Sequence, residues 1–285
     1  MYKALNYWVF GGFTGEKSPK EFIDFAVANG LDGIELTVGD AINESITEEE
    51  CRAIAEYAKA KGVGLKTLAT GKYGSLSLGA ADEAERQEAI AFTKKYLQIA
   101  AWMDVKVILV IPGATCVAWE PSRPIVPYRT VWENSTKSLK ELLPVAEKLG
   151  VTIALENVWT RFLLSPMEWR FFLDQFQSQY LGMYFDVGNC AILTRPQDYI
   201  DILGNRIKAV HLKNFKGTDC GGGLHGFGDD LLDGDVNMKD VIAKFEEVGY
   251  KGTFTVEMIP FSRLPDLILP DDALSQKMVE QLKSL

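Results

Sequence analysis

The chain has 285 residues, of which 47% are hydrophobic, 24% charged and 11% aromatic. That composition excludes a disordered, collagenous or coiled-coil protein, and the length is enough to bury a large core without disulfides. With 30 basic and 39 acidic residues the net charge is −9. This opposes a general nucleic-acid role, which calls for a basic face, and leaves a small phosphorylated ligand open.

Taken in chain order, the sequence repeats one rhythm. The stretch Met1 to Phe13 is mildly apolar, is broken by Asn6 and has no small-residue cleavage site, so it reads as a first strand, over 4–10, and not a signal peptide. Ser18-Pro19-Lys20-Glu21 is a capping box with Pro at the first helical position, and the helix it opens ends at Ala28-Asn29-Gly30, before a strand over 31–37. Thr47-Glu48-Glu49-Glu50 opens the next helix, Ala60-Lys61-Gly62 ends it, and strand 63–69 follows. The long amphipathic stretch Asp82–Met103 leads into strand 105–111. Thr130–Leu149 is a second such stretch, and Gly150 hands over to strand 151–157. Ser165-Pro166-Met167-Glu168 repeats the capping box before strand 181–187. Strand 207–213 comes next, then a glycine-rich loop and a helix ending at Glu247-Val248-Gly249. Strand 252–258 and a helix over 271–284 complete the chain.

Eight strand–helix repeats with no break in composition predict a (β/α)8 TIM barrel in one domain, residues 1–285. An open doubly wound sheet is the alternative with the same alternation. No apolar run approaches the ~18 residues of a membrane span. The four cysteines, Cys51, Cys116, Cys190 and Cys220, form no CxxC pair. They read as free thiols in a reducing compartment, which makes the cytoplasm the expected location.

In a barrel, chemistry sits at the C-terminal ends of the strands. Four consecutive predicted strands end in polar residues: Glu156, Asp186, His211 and Glu257. Three carboxylates at one mouth repel one another, and a divalent cation removes that conflict. Three oxygen donors and one imidazole suit Mn²⁺, Mg²⁺ or Co²⁺, with Zn²⁺ also compatible. Five further positions stand out. Glu35 ends the second strand and could bond sugar hydroxyls. Lys213 shares a strand face with His211 and could meet a substrate oxygen or pair with a metal-binding carboxylate. Trp8, Trp119 and Trp159 fall at or beyond strand ends, where they could exclude water.

The segments Ala154-Leu155-Glu156-Asn157-Val158-Trp159, Tyr184-Phe185-Asp186-Val187-Gly188-Asn189, Val210-His211-Leu212-Lys213-Asn214 and Thr255-Val256-Glu257 resemble the sugar isomerase/epimerase family with a xylose-isomerase-like barrel. Within it the chain is most similar to ketose 3-epimerases and to hexulose- and pentulose-phosphate epimerases. The resemblance implies that Glu156, Asp186, His211 and Glu257 bind one divalent metal, Mn²⁺ first among the candidates, and that Glu156 and Glu257 are the acid/base pair. It also implies a small sugar or sugar phosphate as partner, with no nucleic acid or membrane, and a dimer or tetramer. Two departures point away from a free ketose. Asn189 stands where free-ketose epimerases carry His, and Thr160–Leu163 offers no second Glu. Arg161, Lys213 and Lys216 are compatible with a phosphorylated or acidic sugar, with Trp159 and Asn189 as further substrate-binding candidates.

The expected reaction is epimerisation or isomerisation of a ketose phosphate through a metal-stabilised enediolate, with one glutamate taking a proton and the other returning one. A single-metal sugar dehydratase and a non-catalytic sugar-binding barrel are the alternatives. An endonuclease IV-like role needs several metal-binding histidines, and this chain has two histidines in all. Gly221–Gly226 matches GxGxxG but opens no helix after a strand, so it reads as a flexible lid loop. His225 and Cys220 in that loop are assigned no role.

Overall fold

The structure is a computed structural model that describes residues 1–219, 223–261 and 271–285. Cys220 and the glycines at 221 and 222 lie outside the described residues. The strands are β1 (Tyr2–Asn6), β2 (Gly33–Thr37), β3 (Gly64–Ala69), β4 (Val107–Val110), β5 (Thr152–Glu156), β6 (Leu181–Asp186), β7 (Ile207–Leu212) and β8 (Thr253–Val256). They close in sequence order into one barrel, every neighbour parallel, with β8 returning to β1. The helices are α1 (Tyr7–Gly11), α2 (Pro19–Ala28), α3 (Glu48–Ala60), α4 (Glu83–Trp102), α5 (Tyr128–Leu149), α6 (Pro166–Leu173), α7 (Val187–Ala191), α8 (Pro196–Leu203), α9 (Met238–Glu247) and α10 (Asp272–Lys283).

The local signals do what their chemistry requires. Ser18, Thr47 and Ser165 form complete capping boxes with Glu21, Glu50 and Glu168. Gly30, Gly62, Gly150 and Gly249 all take the left-handed backbone that ends a helix, at φ between +58° and +74°. The strands' buried apolar residues and the inner helix faces share one core, from Leu5 and Leu36 to Phe245 and Leu282.

The largest departure from the sequence expectation is at the first strand. The first strand stops at Asn6 instead of running to residue 10. The Asn6 side chain accepts a hydrogen bond from the Trp8 backbone N–H at 2.8 Å and caps α1. A local cap therefore overrides an apolar run that would serve equally well as strand. Asp186 repeats the device at the end of β6, where Oδ1 accepts from the Asn189 backbone N–H at 2.7 Å and opens α7. The other strands are shorter than expected by a residue or two at their ends.

Candidate functional site

Register brings the strand-end residues together. Asp186 on β6 lies opposite His211 on β7. Glu156 is the last residue of β5, and Glu257 follows β8, its backbone N–H bonded to the Leu212 carbonyl at 3.1 Å. One donor atom from each of Glu156, Asp186, His211 and Glu257 lies within 4.8 Å of the others, and all four residues are buried. His211 Nδ1 is 3.6 Å from Glu156 Oε1 and 3.7 Å from Glu257 Oε2. Asp186 Oδ2, His211 Nδ1 and Glu257 Oε2 have no hydrogen bond of good geometry, although all three are shut off from solvent. Buried polar atoms are ordinarily satisfied. Three such atoms converging with the Glu156 carboxylate form a donor set that can hold one metal ion.

Lys213 is buried against the same carboxylates. Its Nζ lies 2.5 Å from Glu257 Oε2 and 3.3 Å from Asp186 Oδ2, and 5.2 Å from the centre of the Phe227 ring. The carboxylate pairing expected as one role of Lys213 is present. Burial opposes its charge, but Asp186 and Glu257 outweigh it and raise its pKa.

The other groups titrate abnormally for related reasons. Burial first, then the charge of Glu257, pushes Glu156 up to about 7, against the pull of His211. Burial also raises Asp186, opposed by Lys213. For His211 burial disfavours the charged form, yet the carboxylates of Glu35 and Glu257 outweigh it and hold the ring well above the imidazole range.

These shifts fix a sign. Glu156 binds its proton more tightly folded, at about 7, than unfolded, near 4.5, so its contribution to stability is lost as pH rises between those values. The raised His211 likewise contributes below its unfolded value and loses that contribution as pH rises through its folded one. We expect metal-stripped protein to lose stability from about pH 5 to 7, and affinity for a divalent ion to rise over the same interval as the Glu156 proton leaves. Denaturant midpoints and Mn²⁺ titrations across that window check both trends. A stripped protein that gains stability there contradicts them.

Above the cluster lie two chambers. The inner one, about 180 Å³, holds Glu156, Glu257 and Lys213 between aromatic walls that include Trp8, Trp119, Trp159 and Phe227. The three tryptophans therefore stand where a water-excluding wall is expected. The outer chamber, about 810 Å³, shares Val158, Trp159, Asn189 and Leu224 with the inner one and adds Arg123, Arg161 and His225. Asn189 is held in place, with Nδ2 donating to the Asn157 carbonyl at 3.0 Å. The Trp159 indole N–H bonds the Asn189 carbonyl at 3.1 Å. The described part of the glycine-rich loop contributes a turn over Leu224–Gly226, and exposed His225 is no member of the donor cluster.

Two expected contacts are corrected. Glu35 is fully buried and lines neither chamber; it is bonded to His211 Nε2 at 2.6 Å and not available to a sugar. Strand alternation aims Glu35 inward, but its depth along the barrel puts it beneath the cluster. Lys216 also lines neither chamber. It lies beyond the end of β7, its backbone N–H tied to the Gly226 carbonyl and its Nζ 3.0 Å from Asp233.

Sequence reasoning missed Tyr184 and Asn157. Tyr184 lies two residues before Asp186, so alternation places it on the same side of β6. Asn157 follows Glu156, and its amide bridges to Asp186 through two 2.8 Å bonds to the backbone.

The model of the xylose isomerase-like TIM barrel family matches residues 23–285. The chain belongs to that family. Among solved structures, the D-psicose 3-epimerase of Clostridium cellulolyticum H10 with D-tagatose superposes with a TM-score of 0.79 at 18% identity, covering 100% of this chain and 98% of that one. The 3-keto-D-glucoside 4-epimerase of E. coli gives 0.73 at 14%, covering both chains fully. At these identities the likeness is one of fold. A Haemophilus influenzae protein provisionally named L-ribulose-5-phosphate 3-epimerase is 23% identical over 84% of this chain and 83% of its own length. An uncharacterized Methanocaldococcus jannaschii protein is 24% identical over 65% of this chain, and the match spans 61% of that protein. No helix among the described residues is long and apolar enough to cross a membrane.

Proposed function

We propose that this chain is a metal-dependent epimerase or isomerase of a ketose phosphate. The observation that carries the reading is the buried Glu156–Asp186–His211–Glu257 donor set at the floor of a small aromatic chamber that both glutamates line. The names of the structurally similar proteins support the epimerase part of this reading, on sugars that carry no phosphate in those names.

Inverting or moving a proton beside a carbonyl needs a base, an acid and a means of holding negative charge. A divalent ion held by Glu156, Asp186, His211 and Glu257 would supply Lewis acidity to the oxygens of a substrate in the chamber. Glu156 ends β5 and Glu257 follows β8, with two strands between them, so they approach a substrate in the chamber from different sides. One removes the proton, and the other returns one to the opposite face. Trp8, Trp119 and Trp159 would exclude water from the chamber that Glu156 and Glu257 line.

The phosphate reading rests on Arg161. Of the lysines and arginines lining the two chambers, Lys213 is committed to Glu257 and Asp186, and Arg123 to Glu85 and the Gly74 carbonyl. Among the described residues the Arg161 guanidinium has no such partner. Its loop is rigidly built. Arg161 and Leu163 both adopt left-handed φ, +53° and +56°, a conformation that costs about 1–2 kcal/mol per residue. The loop is pinned by Thr115 on the Thr160 carbonyl at 3.0 Å and by Leu163 N–H on the Tyr128 hydroxyl at 3.2 Å. We expect Arg161→Met to raise KM for a ketose phosphate about tenfold or more and to leave the KM of the free ketose unchanged. Steady-state kinetics on both substrates decide it, and equal effects on the two would remove the phosphate contact.

The deciding experiment for the reaction is proton NMR in D₂O of the Mn²⁺-loaded and then stripped protein, with a panel of ketoses and ketose phosphates. Exchange at C3 establishes epimerisation and exchange at C1 aldose–ketose isomerisation. No exchange by metal-loaded protein would favour the dehydratase or the non-catalytic barrel.

A further inference from the structure

We infer that Glu35 is the positioning residue for the metal-binding histidine, locking the tautomer and orientation of His211 from beneath the site. The inference rests on the proposed metal-binding role of the four-residue cluster and concerns a residue outside it.

Glu35 is an acidic side chain with no access to solvent or to either chamber. A carboxylate so placed survives only if its oxygens are satisfied. They are, from several parts of the barrel. Asn6 Nδ2, from β1, donates to Oε1 at 2.7 Å. His211 Nε2, from β7, meets the same oxygen at 2.6 Å. The Tyr184 hydroxyl, from β6, donates to Oε2, and the Thr67 hydroxyl of β3 adjoins the group.

The consequence lies in the histidine. Both Glu35 oxygens are placed as acceptors, Oε1 for the Asn6 amide and Oε2 for the Tyr184 hydroxyl, so the proton shared between Oε1 and the ring sits on Nε2. When the ring is neutral, Nδ1 must then present its lone pair. Nδ1 is the ring atom that points into the donor cluster, and it has no other hydrogen-bond partner. Tyr184 adds a second restraint: its ring lies 4.4 Å from the imidazole, centre to centre, at 52°. Glu35 thus holds the edge of the imidazole and Tyr184 its face. A carboxylate on the far nitrogen of a ligating histidine also makes that ligand more basic.

The test is Glu35→Gln. Glutamine keeps the size but loses the charge, and its amide can donate to Nε2, which would move the ring proton to Nδ1. The expected result is a 10–100-fold weaker Mn²⁺ affinity, read from free Mn²⁺ by electron paramagnetic resonance, and a changed visible spectrum of the Co²⁺-loaded protein. A merely structural Glu35 would lower the thermal midpoint yet leave Mn²⁺ affinity within about twofold and the Co²⁺ spectrum unaltered, which would overturn the inference.

Should the variant not fold, the unaltered protein answers the question. The chain has two histidines, so long-range ¹H–¹⁵N spectra of the Zn²⁺-loaded protein separate them readily. A proton on Nε2 with Nδ1 bound to the ion supports the inference, and Nε2 as the ligand refutes it. If the native protein binds no divalent ion at all, the metal-binding reading fails, and the role of Glu35 fails with it. Unchanged tight binding in Glu35→Gln overturns the role of Glu35 alone.

Discussion

Glu257→Gln, assayed with saturating Mn²⁺, loses about 10²–10⁴-fold in turnover while remaining folded, and Glu156→Gln does the same. Glutamine keeps the volume and one oxygen donor of glutamate. What it loses is the ability to carry a proton. Both side chains line the inner chamber beside His211 and Lys213, so the loss falls on the chemical step and not on access. The two variants also differ in a way that tests the two-face arrangement. If the proposed reaction is epimerisation, each variant keeps one base. In D₂O it then exchanges the proton of only the epimer whose C–H faces the surviving glutamate, and exchanges it without inversion. Near-normal turnover by either metal-loaded variant would overturn the two-carboxylate mechanism.

The second large effect follows from charge. Three carboxylates converge on one buried spot, with Lys213 and His211 as the nearby cationic groups. Chelation should reduce activity to background, and Mn²⁺ or Co²⁺ should restore it. Binding should also stabilise the fold, by about 2.7 kcal/mol at an ion concentration a hundred times the dissociation constant. That is a rise of about 5 °C in the thermal midpoint for a chain of this size. Full activity of rigorously stripped protein, with no thermal shift on adding the ion, would show that the cluster binds no functional metal.

The parts of this protein legible in its sequence are those decided within a few residues. A capping box closes on itself over four positions, so the starts of α2, α3 and α6 were readable from Ser18, Thr47 and Ser165. The join glycines were readable because left-handed backbone suits no other residue as well. The four donors were readable because each ends or follows an apolar run, and the barrel rule brings strand ends together. The end of β1 was misjudged because Asn6 caps α1 inside a run whose apolar character fits strand and helix alike.

Only the closed barrel decided the rest. Alternation shows which side of a strand Glu35 faces but not its height along the axis, which depends on the stagger between neighbouring strands. Its bond to His211 joins residues 176 positions apart and exists only once β1 to β8 have closed. The lysines near the site make the same point. Lys213 and Lys216 lie three residues apart, yet one is drawn down onto Glu257 and the other out to Asp233. The order of residue types determined that this chain would carry four metal-type donors at one mouth of a barrel. Which of the nearby charges braces a donor, which pairs with it and which stays free for a ligand was decided by packing, because those bonds join strands far apart in the chain.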